Sequence, residues 1–192
     1  MKGITVKQPW ASLIIEGIKD IENRTWKCPE KYIGKRVLIH SSLAKSEFNF
    51  RKLQYKELNR LNLRRWYDNE QIKGKIIGSV EIVACVVNHP SIWAKKTELP
   101  EQLSNRCIWN WVLANPIKFP KPIPTKGKLS FWEFDLKCPE FAHFGASYPD
   151  ARCINGFLWD LDSVDGDFLT IGGDHPCPYC NPNAYLQCYG KI

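Results

Sequence analysis

Apolar residues along this chain follow several different periods in turn. Trp10, Leu13, Ile14 and Gly17 recur at helical spacing, so WASLIIEG predicts a short amphipathic helix with Gly17 at its C-terminal stop. In IKDIENRTW a strand would place Glu22, Arg24 and Trp26 on one face, an unusually polar face for a core strand. Gly34 opens a short strand, KRVLIH, that ends at His40. KSEFNFRKLQYKELNRLNLRRW lacks Gly and Pro and predicts a helix with mixed faces, marked by Leu53, Lys56, Glu57 and Arg60. IIGSVEIVACVV is β-branched, apolar on both faces apart from Glu81, and should be a central strand. IWNWVLANP predicts a further strand, after which Pro116, Pro120, Pro122 and Pro124 space out an extended, irregular connection before KLSFWEFDL. Downstream, GFLWDLD and DFLTI read as hairpin strands around Asp165 and Gly166. Short strands with few helices predict an α+β, mainly β fold: a small barrel with flanking helices.

Composition narrows the class. The longest nearly apolar run carries Glu81 and is far shorter than the roughly 20 residues that span a bilayer, so no transmembrane helix is expected. Lys7, Pro9 and Glu16 interrupt what a signal peptide would need as its apolar stretch, which predicts a cytoplasmic protein. In that compartment the 8 cysteines are expected as thiols or metal ligands rather than disulfides.

The net charge of +7 is unevenly spread. Residues 1–137 hold 25 Lys and Arg against 13 Asp and Glu, a net +12, whereas 138–192 hold 2 against 7, a net −5. The sequence therefore divides into a basic body, 1–137, and an acidic, cysteine-bearing extension, 138–192. A helical insert at about 44–72 supplies much of the positive field through Lys45, Arg51, Lys52, Lys56, Arg60, Arg64 and Arg65. Such a body attracts polyanions over about 8 Å at physiological salt, the footprint of nucleic-acid binding.

The densest chemistry lies in QPWASLIIEGIKDIENRTW, where Lys19, Glu22 and Arg24 follow a helix-ending glycine. Charges this close need partners or water, so they are expected to line a wet cleft. QPWASLIIEGIKDIENRTW, GKRVLIH, GKIIGSVEIVAC and WVLANP with KGKLSFWEF together resemble the ASCH domain, a β-barrel related to the PUA fold, over roughly Met1 to Leu136. The resemblance implies an RNA-associated module, or a hydrolase that deacylates acetylated cytidine or cleaves RNA. In the amidohydrolase relatives a lysine, a threonine and a glutamate form the catalytic set. Lys19 falls at the lysine, Glu22 stands where the threonine would be, and Glu81 is matched to the glutamate from its place on the central strand. The candidate catalytic residues are thus Lys19, Glu22 and Glu81, with Glu81 expected to pair with Lys19 or Arg24 or to carry a raised pKa.

The same cleft can be read as a binding site for RNA or a modified nucleobase. Its candidate ligand contacts are Gln8, Trp10, Lys19, Arg24, Trp26 and His40, with Trp10 or Trp26 stacking on the base. Trp26 is favoured because it shares the polar face. A protein-interaction adaptor using the basic insert is a third reading.

HPCPYCNPNAYLQC sets Cys177 and Cys180 in a CxxC turn, whose two thiolates reach one tetrahedral metal at roughly 2.3 Å. A structural zinc is expected, with Cys153 and Cys188 completing the set ahead of Cys138 or His175. A redox pair or buried thiols are the alternatives. Asp160, Asp162, Asp165 and Asp167 do not match an EF-hand loop and are expected as solvated turn residues.

Overall fold

A computed structural model describes residues 1–44, 50–61, 72–97 and 107–190 of the chain. Lys45, Arg64 and Arg65 of the basic insert lie outside these residues. The body is built on β1 (Lys2–Val6), α1 (Trp10–Ile15), β2 (Ile21–Arg24), β3 (Lys35–Ser41), α2 (Lys52–Arg60), β4 (Lys75–Val87), β5 (Trp109–Pro124) and β6 (Phe131–Glu133). Its six strands form one sheet in the order β2-β5-β4-β3-β1-β6. β4 lies inside the sheet, as its two-sided apolar pattern requires. β1 and β3 run parallel; the other neighbours are antiparallel.

The sheet curls into a half-barrel whose two edges approach through side chains. Phe131 of β6 stacks on Trp111 of β5 with centroids 5.3 Å apart and meets Trp26, just beyond β2, at 5.9 Å. Arg24 Nη2 of β2 donates to the Thr5 carbonyl of β1 at 2.9 Å. Inside the curl α1 buries Ala11, Ile14 and Ile15 against Ile4, Val6, Val37, Ile39, Val80, Ile82 and Trp111. Each such side chain contributes about 1.5–3 kcal/mol by leaving water. Gly78 permits the tight β4–β5 contact, because a Cβ there would stand 2.2 Å from the Ile117 carbonyl oxygen.

The region around Pro116 to Pro124 departs from expectation: it continues β5 rather than forming an irregular connection. Prolines at 120, 122 and 124 occupy alternate positions, so their missing N–H groups lie along one edge of the strand. The intervening Lys121 gives its N–H to the Tyr179 hydroxyl at 2.9 Å. Of the helix expected across the basic insert, α2 is the described part. It packs Leu58 against Leu13, Ile21, Trp93 and Ala94 and points Lys52 and Lys56 outward.

The extension adds β7 (Ala151–Ile154), β8 (Phe157–Asp160), β9 (Val164–Asp165), β10 (Phe168–Leu169), β11 (Gly172–Pro176) and α3 (Pro182–Tyr189). The turn at Asp165 and Gly166 does form a hairpin, but it joins β9 to β10; GFLWDLD contributes β8, which pairs with β7 and β11. The extension shares a core with the far side of the sheet. Phe141, Ala151, Leu158, Cys177 and Tyr179 pack with Leu38, Ile76, Ile117, Phe119 and Trp132.

Candidate functional site

A pocket of about 610 Å³ opens where the end of β1, the start of α1 and strand β2 meet the loop before β6. Thr5, Lys7, Trp10, Glu22 and Arg24 line one side, and Gly127, Lys128, Leu129 and Ser130 the other. The three charged residues expected in a cleft sit together, but only Glu22 and Arg24 line the pocket and Lys19 is buried beside them. Lys19 Nζ donates to Glu22 Oε2 at 3.2 Å and to the Ile21 carbonyl. Arg24 Nε stands 3.1 Å from Glu22 Oε1, though not aligned as a hydrogen bond. A single carboxylate thus holds two cations, and the group keeps one net positive charge.

Burial sets the electrostatics. The Lys19 side chain is only 4% exposed, and loss of hydration pushes its pKa below the ordinary lysine value, with the Glu22 carboxylate opposing that shift. The ammonium lies 5.8 Å from the Trp10 ring centroid. Trp10 is held edge-on by Phe50 at 5.2 Å and Trp93 at 6.4 Å, so the indole that walls the pocket is fixed by its neighbours.

The other sequence candidates fall elsewhere. Gln8 is buried and ties down the start of α1: its Nε2 donates to Ser12 Oγ at 2.7 Å and to the Ile72 carbonyl at 2.8 Å. Trp26, favoured over Trp10 for stacking, packs edge-on against Trp111 at 4.7 Å and is not among the pocket-lining residues. The reason is local: β2 ends at Arg24, so the alternation that would have kept Trp26 beside Glu22 stops before it. His40 is 2% exposed, its Nε2 lies 3.1 Å from the Thr125 carbonyl, and burial lowers its pKa. It supports the loop from below, since a Cβ on Gly127 would come within 2.4 Å of its ring.

Glu81 does not join Lys19 or Arg24. It pairs with Arg36 Nη2 at 3.1 Å and accepts from Asn115 Nδ2 at 2.9 Å. It borders a separate polar hollow of about 440 Å³ beside Asn183 and Gln187 of α3. The register explains this: Glu81 stands opposite Arg36 on β3 and Ala114 on β5, and strand β5 lies between it and β2. What the sequence reading missed is the loop at 126–130, where the run KGKL was the available signal.

In the extension the Sγ atoms of Cys138, Cys153, Cys177 and Cys180 all lie within 4.8 Å of one another, close enough for one metal ion. The Cys177 thiol is pulled down, chiefly by the hydrogen bond from Cys138, while that same bond pushes Cys138 up and burial pushes Cys153 and Cys180 up. Cys188 was expected in this set and is not in it. It is exposed on α3, whose rise from Pro182 to Cys188, roughly 9 Å at 1.5 Å per helical residue, carries it away from Cys180. Cys138 takes its place.

The family model for the ASCH domain matches residues 4–123. The activating signal cointegrator 1 of Mus musculus is 23% identical over 148 residues, covering 74% of this chain and 24% of that protein. The Homo sapiens protein of the same name is 24% identical over 144 residues, with the same coverage. The chain therefore spans about a quarter of the length of these relatives. A crystal structure of ASCH from Zymomonas mobilis aligns with a TM-score of 0.42 at 16% identity, over 70% of this chain and 87% of that one. A variant of the Zymomonas mobilis protein aligns at 0.37 and 16%, over 64% and 72%. Matched by the family model across more than half its length, with a curled sheet of the PUA-like type, the chain belongs to the ASCH domain family.

Proposed function

We propose that the pocket between β2 and the 126–130 loop receives an unpaired or modified nucleobase of RNA, and that the protein is an RNA-binding module. The observation that carries this reading is the placement of a fixed indole, the Glu22 carboxylate and the cations Lys7 and Arg24 around one cavity of about 610 Å³, with buried Lys19 paired to that carboxylate. Trp10 offers an apolar wall for a flat ring. Glu22 can accept from an amino or ring N–H group, and Arg24 and Lys7 can hold a phosphate. Both Glu22 oxygens already face cations, which favours holding a ligand over activating water. Among the described residues no helix is long and apolar enough to cross a membrane, and all eight cysteines are free thiols, which supports a cytoplasmic location.

Binding of short RNAs followed by fluorescence anisotropy across a salt series tests the proposal. Affinity should fall as salt rises and should drop on Arg24→Ala. Release of acetate from acetylated cytidine, or RNA cleavage abolished by Lys19→Ala, would instead make the protein a hydrolase. Salt-independent capture of a protein partner without RNA would make it an adaptor.

We further infer that Cys138, Cys153, Cys177 and Cys180 hold a structural zinc. The donor set supports this, since four cysteine sulfurs within 4.8 Å of one another suit a closed tetrahedral site. Tyr179, between two of the ligands, is fully buried with its hydroxyl on β5, so the metal would fasten the extension to the sheet. Residues 138–192 are then an appendage organised by metal on an ASCH body of residues 1–137.

A further inference from the structure

We propose that Leu129 is a wedge, and that the RNA recognised at the pocket is a base extruded from a helical stem. This rests on the nucleobase reading above and specifies the kind of RNA.

Leu129 is 95% exposed, more than any other large hydrophobic residue among those described, and it stands on the rim of the pocket. A single exposed leucine is unremarkable by itself. Here the backbone presents it at a fixed place. Thr5 Oγ1 donates to the Lys128 carbonyl at 2.9 Å, which fastens the loop to β1 just before the leucine. Ser130, just after it, adopts a left-handed φ of 58°, and β6 begins at Phe131. Gly127 sits on the buried His40 ring so closely that no side chain would fit. The tip is pinned on both sides, and little backbone freedom is lost when it is used.

Charge identifies what it enters. Lys126 and Lys128 precede the leucine in sequence, and Lys7 and Lys128 both line the pocket. An apolar tip beside lysines complements a stem, where phosphates lie on the outside and stacked bases within. Apolar side chains inserted between base steps unstack them, and a base that leaves its stack needs a receiving pocket. The 126–130 loop joins these two parts: Leu129 fills the gap while the displaced base lies against Trp10 and Glu22. A free single strand has no such gap for the leucine to fill.

The test uses the full chain and two RNAs of the same sequence around a 2-aminopurine, one folded as a hairpin with that base bulged or mispaired, the other unstructured. Leu129→Ala should weaken hairpin binding at least tenfold more than single-strand binding and remove the rise in 2-aminopurine fluorescence on binding the hairpin. Because the side chain is almost wholly exposed, folding is not at stake. Equal effects on both RNAs, or no effect on either, overturn the wedge. Arg24→Ala, run alongside, separates the two ideas. If it weakens both RNAs while Leu129→Ala weakens neither selectively, the wedge alone falls. If Arg24→Ala changes nothing, or neither RNA binds, the nucleobase pocket falls and takes the wedge with it.

Discussion

The ammonium of Lys19 lies 3.2 Å from the Glu22 carboxylate in a setting where the two side chains are only 4% and 11% exposed. A pair so withdrawn from water is tolerated because each charge has the other, and because Arg24 and the Ile21 carbonyl supply further partners.

Removing one member should therefore destabilise the fold. Glu22→Gln leaves a buried ammonium without its carboxylate and is expected to cost about 3 kcal/mol in urea denaturation. Adding Lys19→Met to that variant should recover a good part of the loss. A double variant as unstable as the sum of the single ones would show that the two residues are not coupled.

Glu81 and Arg24 should behave differently. Glu81 is engaged with Arg36 and Asn115 away from the pocket, so Glu81→Gln should leave RNA affinity within about twofold. Arg24→Ala should lower it roughly tenfold and reduce the salt slope by about 1, if the guanidinium meets a phosphate. Anisotropy titrations at several salt concentrations decide between them, and a larger effect from Glu81 would misplace the site.

Metal content provides a third check. Protein purified without chelator should carry about one zinc per chain, lost in Cys138→Ser and retained in Cys188→Ser. Chelation should lower the Tm. The reverse order for the two cysteines would return the ligand set to the sequence-based expectation.

Tyr179 anchors the extension by hydrogen bonding, since its hydroxyl accepts from the Lys121 N–H at 2.9 Å and donates to the Lys121 carbonyl at 3.0 Å. Tyr179→Phe strands both backbone groups beneath the extension and should cost about 1–3 kcal/mol. Chemical denaturation of the zinc-loaded variant measures it, and an unchanged midpoint would mean that water replaces the hydroxyl.

Acidification should weaken the fold through His40. Burial holds its folded pKa below the ordinary 6.5, so the unfolded chain binds a proton more readily than the folded one. The stability from a neutral His40 is complete above 6.5 and is lost as the pH falls toward the lowered folded value. His40→Gln should flatten the dependence of the denaturation midpoint on pH between about 7.5 and 5. Identical slopes in the two proteins would assign the effect to other groups.

Local pattern was enough to place α1, β2, β3 and β4 and to single out Lys19, Glu22 and Arg24, because periodicity and short spacing are properties of neighbouring residues. The same segments carried the family resemblance. The partner of Glu81 was not legible, because strand register decides that Arg36 rather than Lys19 stands opposite it, and register is settled by long-range pairing. Nor could spacing rank Cys138 above Cys188. Cys138 is distant in sequence from Cys177, and the shared core beneath the sheet brings them together, while helix α3 carries the nearer cysteine off.

The sequence by itself thus determined α1, β2, β3 and β4, the basic character and the presence of a charged cluster, each fixed by covalent neighbours. Only the tertiary structure decided which indole walls the pocket, which thiols meet, and that the KGKL loop closes over β1. These depend on contacts between segments far apart in the chain, which no local pattern encodes.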